Sequence, residues 1–258
     1  MLLDEKIKRC ELEYIKAFCA MDEKKDVIRV RDDSLKDMYY HNYTYLKKDI
    51  PTYELRLIID EEIIYRKEER SNFCNFIIDS TIDSSLEEIL DIRPSVSRNG
   101  YYLFDKTYFD TLKSLRDCTI KKVTNEQLIE DSLFCDLQQD VEAVGKDFCE
   151  RRAYRRGKIY VTDKGVDSYN CYYDGTIVGK CDMFIYDGIA KIEDFGVIPK
   201  YQRKGYGTTI LKHLINIAME AQCHTIYLVA DEEDTPKDMY LRIGFTKVGD
   251  RTDLLFRF

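Results

Sequence analysis

The stretch VIPKYQRKGYGTTILKHL, Val197 to Leu214, sets Gln202, Arg203, Lys204, Gly205, Tyr206 and Gly207 between a strand-like run and an apolar helical pattern. Two glycines at a helix start lower helix propensity, so the position must gain something else from them. Gly205 and Gly207 let backbone amides approach a ligand closely, and amides at a helix N-terminus carry partial positive charge. Arg203 and Lys204 add full charges. The physical reading is an anion cradle for a phosphate or pyrophosphate. The glycine-lysine pattern of a P-loop is absent, and so is the third glycine of a dinucleotide fingerprint.

The flanks extend this reading. Ahead of the loop, Tyr169–Tyr173, Ile177–Tyr186 and Ile189–Ile198 are strand-like and are separated by Asp174-Gly175 and Asp187-Gly188. Asp-Gly between β-rich runs is a strong hairpin signal, because both turn residues need positive φ, and it predicts an antiparallel meander of three strands. Behind the loop, Ile210, Leu211, Leu214, Ile215 and Ala218 mark a helix, and TIYLVA (Thr225–Ala230) reads as a central strand. TPKDMYLRIGF (Thr235–Phe245) reads as a Thr cap, a proline at the first position, a short helix and a glycine stop. TKVGD and LLFRF supply one or two closing strands.

In this context Gln202 to Gly207 resembles the pyrophosphate-loop signature of the GNAT superfamily of acyl-CoA-dependent N-acetyltransferases. MYLRIGF (Met239–Phe245), with a tyrosine four residues before Gly-Phe, is similar to that family's second motif. The resemblance covers roughly Cys118 to Phe258. It implies acetyl-CoA as cosubstrate, with no metal. It implies that backbone groups near Phe195, Gly196 and Val197 pair with the pantetheine arm, where the third meander strand splays from its neighbour. It implies that amides from Gln202 through Arg203, Lys204, Gly205, Tyr206 and Gly207 to Thr208 hold the pyrophosphate. Tyr240 matches the general acid beside the thioester sulfur. Glu193 matches a carboxylate base on the strand before the loop, with Asp194 expected on the opposite face. A base is needed because an amine of pKa ~10 is protonated at pH 7. The sequence departs from the family in DEEDTP (Asp231–Pro236), where relatives often carry an Asn; Glu233 stands near that place.

The half before Cys118 carries no such loop. Glu5–Ala20 has helical spacing, and DVIRV (Asp26–Val30) and YYHNYTYL (Tyr39–Leu46) read as strands. A helix opens at Pro51, a strand covers Asn72–Asp79, a short helix Ser84–Ile92, a strand Gly100–Asp105 and another short helix Tyr108–Leu115. This succession is loosely that of the same fold without its signature. The expected division is 1–117, either a degenerate GNAT-like domain or an unrelated cap that shapes the acceptor site, and 118–258, the acetyltransferase domain. The fold class is α/β (α+β), a mixed, mostly antiparallel sheet flanked by helices. In the second half, Thr124 with Gln127 reads as a capping box. Gly145 divides a long helical pattern, and ERRAYRRGK (Glu150–Lys158) reads as a solvated helix end.

The 258 residues carry a net charge of −8, which argues against a nucleic-acid binder. No apolar run approaches the ~20 residues of a membrane span, and the charged start is unlike a secretory signal, so the cytoplasm is expected. Nine cysteines without a CxxC spacing read as reduced core thiols. The function expected is acetyl transfer to a primary amine, of a small molecule or a peptide, by a monomer or homodimer. The rival from another class is a silent acyl-CoA-binding regulatory module.

Overall fold

A computed structural model describes residues 3–48, 50–82, 86, 90–162, 164–233 and 236–258. The first half of the chain supplies α1 (Glu5–Lys16), β1 (Ala20–Glu23), β2 (Val27–Arg31), β3 (Thr44–Leu46), α2 (Thr52–Glu68), β4 (Phe73–Ile78) and β5 (Ser95–Phe104). The second supplies β6 (Cys118–Lys122), α3 (Glu126–Gln139), α4 (Val141–Val144), α5 (Lys146–Tyr160), β7 (Val166–Tyr173), β8 (Thr176–Tyr186) and β9 (Ile189–Val197). It continues with α6 (Tyr206–Glu220), β10 (Thr225–Asp231), α7 (Pro236–Arg242) and β11 (Phe245–Arg257).

Among the described residues the eleven strands form one sheet, in the order β1-β2-β3-β4-β11-β5-β10-β9-β8-β7-β6. The order is close to a palindrome. In each half an antiparallel meander (β1-β2-β3, β7-β8-β9) leads through a crossover helix (α2, α6) to a parallel strand (β4, β10). The final strands are exchanged: β11 pairs with β4, β5 pairs with β10, and the two meet antiparallel at the centre. The two halves are thus joined by backbone hydrogen bonds at the centre of the sheet.

Local chemistry explains the elements that frame the site. Asp174, Gly175, Asp187 and Gly188 have φ of 48°, 70°, 48° and 73°, the positive values that a tight two-residue hairpin requires. Helix α6 buries Ile210, Leu211, Leu214, Ile215 and Ala218 on one face of the sheet, each large side chain contributing about 1.5–3 kcal/mol. On the other face α1 lays Ile7, Cys10 and Tyr14, followed by Phe18 just past its end, against Tyr101, Phe184 and Tyr227. The first helix of the N-terminal half therefore packs on strands of the C-terminal half. All nine cysteines are free, and seven of them are buried.

Several expectations are corrected. Tyr39–Leu46 is a 3-10 turn (Tyr39–His41) followed by only three strand residues. Asn42 causes this, since its amide donates to Leu35 and Met38 carbonyls and its oxygen accepts from the Asp32 amide. Asn125, rather than Thr124, caps α3, accepting from the Leu128 amide at 3.1 Å. The basic run is a helix interior: Arg156 is 7% exposed because Asp182 on β8 needs a buried partner. Gly145 does divide the helices, with φ 81° between α4 and α5. Tyr108 sits in a 3-10 turn, Lys106–Thr111. Most of the Ser84–Ile92 helix, and the Thr235 cap, lie outside the described residues.

Candidate active site

The glycine loop has the backbone its residues suggested. Gly205 stands at φ 92° as the N-cap of α6, and Arg203 at φ 59°. The first bond within the helix runs from the Thr209 amide to the Gly205 carbonyl, 3.0 Å, so the amides of Tyr206, Gly207 and Thr208 belong to the first turn, which a helix leaves unpaired within itself. Gln202, Arg203, Lys204 and Gly205 are exposed. Gln202 Nε2 donates to the Val197 carbonyl at 3.0 Å and ties the loop to the end of β9. The side chain of Tyr206 is buried, its ring against those of Tyr173 and Tyr201. A Cβ at Gly207 would come within 3.1 Å of Phe195 Cζ, so glycine there lets α6 approach β9.

Beside the loop the sheet opens. β9 and β10 pair in parallel only from Ile189↔Thr225 to Ile192↔Leu228, although β9 runs on to Val197 and β10 to Asp231. The backbone of Glu193, Asp194, Phe195, Gly196 and Val197 therefore turns away from β10. A bulge against β8 helps it to do so, with Asp194 at φ 50°. That bulge also overturns one expectation. Strict alternation would put Asp194 opposite Glu193, but the bulge swings it onto Lys180 (2.5 Å) and towards Arg156 (3.8 Å), which holds Asp182 on the α1 face of the sheet. Burial would raise the Asp194 carboxyl, but Lys180, Arg156 and Arg152 hold it well below the usual range.

Tyr240 and Phe195 lie on the α6 face, their rings 6.1 Å apart edge to face; Tyr240 also meets Phe245 at 5.8 Å and is 6% exposed. Glu193 lies on the opposite face, about one third exposed, where it lines a cavity of about 230 Å³. The cavity is built from both halves. Tyr14, Tyr40, Tyr43 and Ile77 come from the first, Val229 and Arg251 from the second. Lys191 Nζ sits between Glu193 (2.9 Å) and Glu11 of α1 (2.6 Å). Burial would lower the Lys191 ammonium, but the two carboxylates outweigh it and raise it. Glu11 in turn accepts from Tyr227 at 2.6 Å. Burial would raise Glu11, yet Lys191 and Arg251 hold it low.

These cavity residues were not singled out from the sequence. The available signal was an acid within an apolar stripe, Ile7, Glu11, Ile15, and a lysine inside the apolar strand IAKI. In the acidic turn Glu232, not Glu233, is engaged with the core: it accepts from Tyr102 at 2.7 Å and pairs with Lys247 at 3.3 Å. Among the described residues Cys19, Asp32 and His41 bring ligand-type atoms within 4.8 Å of one another. Asp32 is already engaged there, by His41 Nδ1 at 3.0 Å and Arg155 at 3.2 Å, and burial raises the Cys19 thiol far above its ordinary value.

A strand that leaves its parallel neighbour next to a glycine-started helix can be compared with known families. Residues 127–245 match the model of the Acetyltransferase (GNAT) family. This part of the chain is a GNAT acetyltransferase domain. The chain is 24% identical over 243 residues to the uncharacterized N-acetyltransferase CgeE of Bacillus subtilis (strain 168), with 84% of each protein covered. Its fold is shared by a GCN5-related N-acetyltransferase from Kribbella flavida, with TM-score 0.71, 12% identity, and 99% of this chain and 96% of that one covered. It is shared too by a tandem GNAT protein from the clavulanic acid biosynthesis pathway, with TM-score 0.58, 9% identity, and 99% and 97% covered. The matched residues thus contain the glycine loop, Glu193 and Tyr240, while α1, Tyr40, Tyr43, β4, β5 and the Arg251–Asp253 part of β11 bring the remaining cavity wall from outside them. Among the described residues no helix is long and apolar enough to cross a membrane.

Proposed function

We propose that the protein transfers an acetyl group from acetyl-CoA to a primary amine by direct attack, in the cytoplasm. The observation that carries this reading is the end of β9–β10 pairing at Ile192↔Leu228, with the first turn of α6 on one face and the Glu193 cavity on the other. Backbone groups of Phe195, Gly196 and Val197 pair with the pantetheine arm, and amides from Gln202 to Thr208 take the pyrophosphate, helped by Arg203 and Lys204. Glu193 removes a proton from the ammonium, the neutral nitrogen attacks the thioester carbon, and a backbone amide of the diverging strand meets the oxyanion. The C–N bond forms and the C–S bond breaks. The sulfur leaves with the electron pair and takes the Tyr240 phenol proton, which the second nitrogen proton restores. Much of the acceleration comes from holding amine and thioester together. Residues 1–117 act as a degenerate copy that shapes the acceptor side and binds no CoA.

The Glu193–Lys191 pair favours one rival, a silent acyl-CoA-binding module, because it engages the base. CoA release measured over a panel of amines, together with the thermal shift given by acetyl-CoA, separates the two. A shift with no release supports the module, and no shift at millimolar acetyl-CoA rejects both.

A further inference from the structure

The cavity beside Glu193 contains two cations, and each is already paired. Lys191 Nζ lies 2.6 Å from Glu11 and 2.9 Å from Glu193. Arg251 donates to both oxygens of Asp253, at 2.7 and 3.1 Å, and its third nitrogen lies 3.9 Å from Glu11. The Tyr40 ring sits 5.8 Å from the same guanidinium. The wall therefore holds three carboxylates against two cations, both drawn to protein partners. A partly buried site with surplus negative charge favours a cation and penalises another anion, which would have to displace an existing pair.

Size adds a second constraint. At about 230 Å³ the cavity is smaller than the roughly 300–1,000 Å³ usual for drug-sized ligands. Helix α1 and strands of both halves wall it on several sides and leave it open on the Glu193 side, and its volume suits a small amine.

Building on the acetyl-transfer reading, we propose that the acceptor is a small primary amine without carboxylate or phosphate, which enters as an ammonium beside Glu193. Asp253 is then a specificity-determining residue, because it keeps Arg251 from receiving an acceptor's anion.

The test uses the full-length protein with acetyl-CoA and matched acceptors that differ by one anionic group: tyramine and tyrosine, cadaverine and lysine, glucosamine and glucosamine 6-phosphate. The expected result is a kcat/KM at least about tenfold higher for a member without the anion, the scale on which an unpaired like charge discriminates. Asp253→Asn keeps the shape of the side chain and releases Arg251. It is expected to lower KM for the anionic member and narrow the ratio, with the acetyl-CoA thermal shift as a control for folding. Equal or better turnover of the anionic members overturns the acceptor class. So does a failure to acetylate any member while acetyl-CoA still raises the melting temperature, an outcome that leaves acetyl-CoA binding standing. A ratio unmoved by Asp253→Asn removes Asp253 from the proposal. A melting temperature that acetyl-CoA does not move overturns the reading on which the proposal rests.

Discussion

In the C-terminal half the chain starts its crossover helix through Gly205 at φ 92°; in the N-terminal half it starts through Pro51 at φ −54°. The topology around both helix starts is the same: meander, helix, parallel strand. The chemistry is not. Lys204 stands exposed ahead of α6, donating to the Lys200 carbonyl. Lys47 and Lys48, ahead of α2, pair with Glu23 and Asp26 at 2.7 and 3.0 Å, and the first turn of α2 is acidic at Glu54. In the proposed reading the crossover between parallel strands is the place for the ligand, and these residues at the helix start are what make the C-terminal one an anion site and the N-terminal one not.

The strongest test of the two-copy view is to separate the copies. Fragments 1–117 and 118–258 each carry a strand whose partners lie in the other, so neither is expected to melt cooperatively alone, and mixing them is expected to restore a transition seen by circular dichroism. A fragment that folds alone breaks the argument from strand exchange. Next in size is Gly205→Val. At φ 92° a β-branched residue costs about 1–3 kcal/mol, which strains the loop whose amides are assigned to the pyrophosphate in the proposed reading, and its Cβ would meet the Leu115 side chain at 3.5 Å. The variant is expected to lose the acetyl-CoA thermal shift entirely, while calorimetry on the wild type gives one CoA site per chain. Two equivalent sites would show that the Pro51 helix start also binds.

Tyr240→Phe sharpens the comparison at the next element. From Asp79 to Pro94, after the parallel strand of the N-terminal half, the chain holds no tyrosine, so the phenol has no counterpart. Removing the hydroxyl is expected to lower kcat by about 10²-fold with little change in acetyl-CoA Kd or melting temperature. Survival of turnover within a factor of a few makes Tyr240 a packing residue. The smallest effect concerns the tie between the halves. Glu11→Gln leaves Lys191 with Glu193 only and is expected to cost about 3 kcal/mol or less at neutral pH. Because the native Glu11 carboxyl is held below its ordinary 4.5, its stabilisation is present above that pH and is lost as pH falls through the native value. Denaturant melts of wild type and variant should therefore converge in acid. A gap that widens there contradicts the pairing.

Much of the C-terminal half was legible because its signals are local. Two Asp-Gly turns, the glycine loop and the Gly244-Phe245 stop each act over a few residues. The exchange of β5 and β11 was not legible. Nothing within GYYLF distinguishes a strand that pairs with β4 from one that pairs with β10, since only tertiary contacts decide. Nor was the buried role of Arg156 readable, because a basic run looks solvated until Asp182 is known to face it. The cavity escaped for the same reason: its wall draws on α1, β4, β5, β9, β10 and β11. Sequence alternation misled at Asp194, where a bulge turns the side chain through the sheet.

The exchanged strands also set a schedule for synthesis. Tyr102 on β5 and its partner Glu232 are 130 residues apart. At roughly 5–20 residues per second, β5 leaves the ribosome on the order of ten seconds before the β10 segment that will cover it. During that interval Ser95–Phe104, which ends in the apolar run Tyr101–Phe104, lacks both of its native partner strands. The unpaired strand is then open to mispairing with another copy of the chain, so the pace of synthesis across residues 105–231 sets how long that exposure lasts.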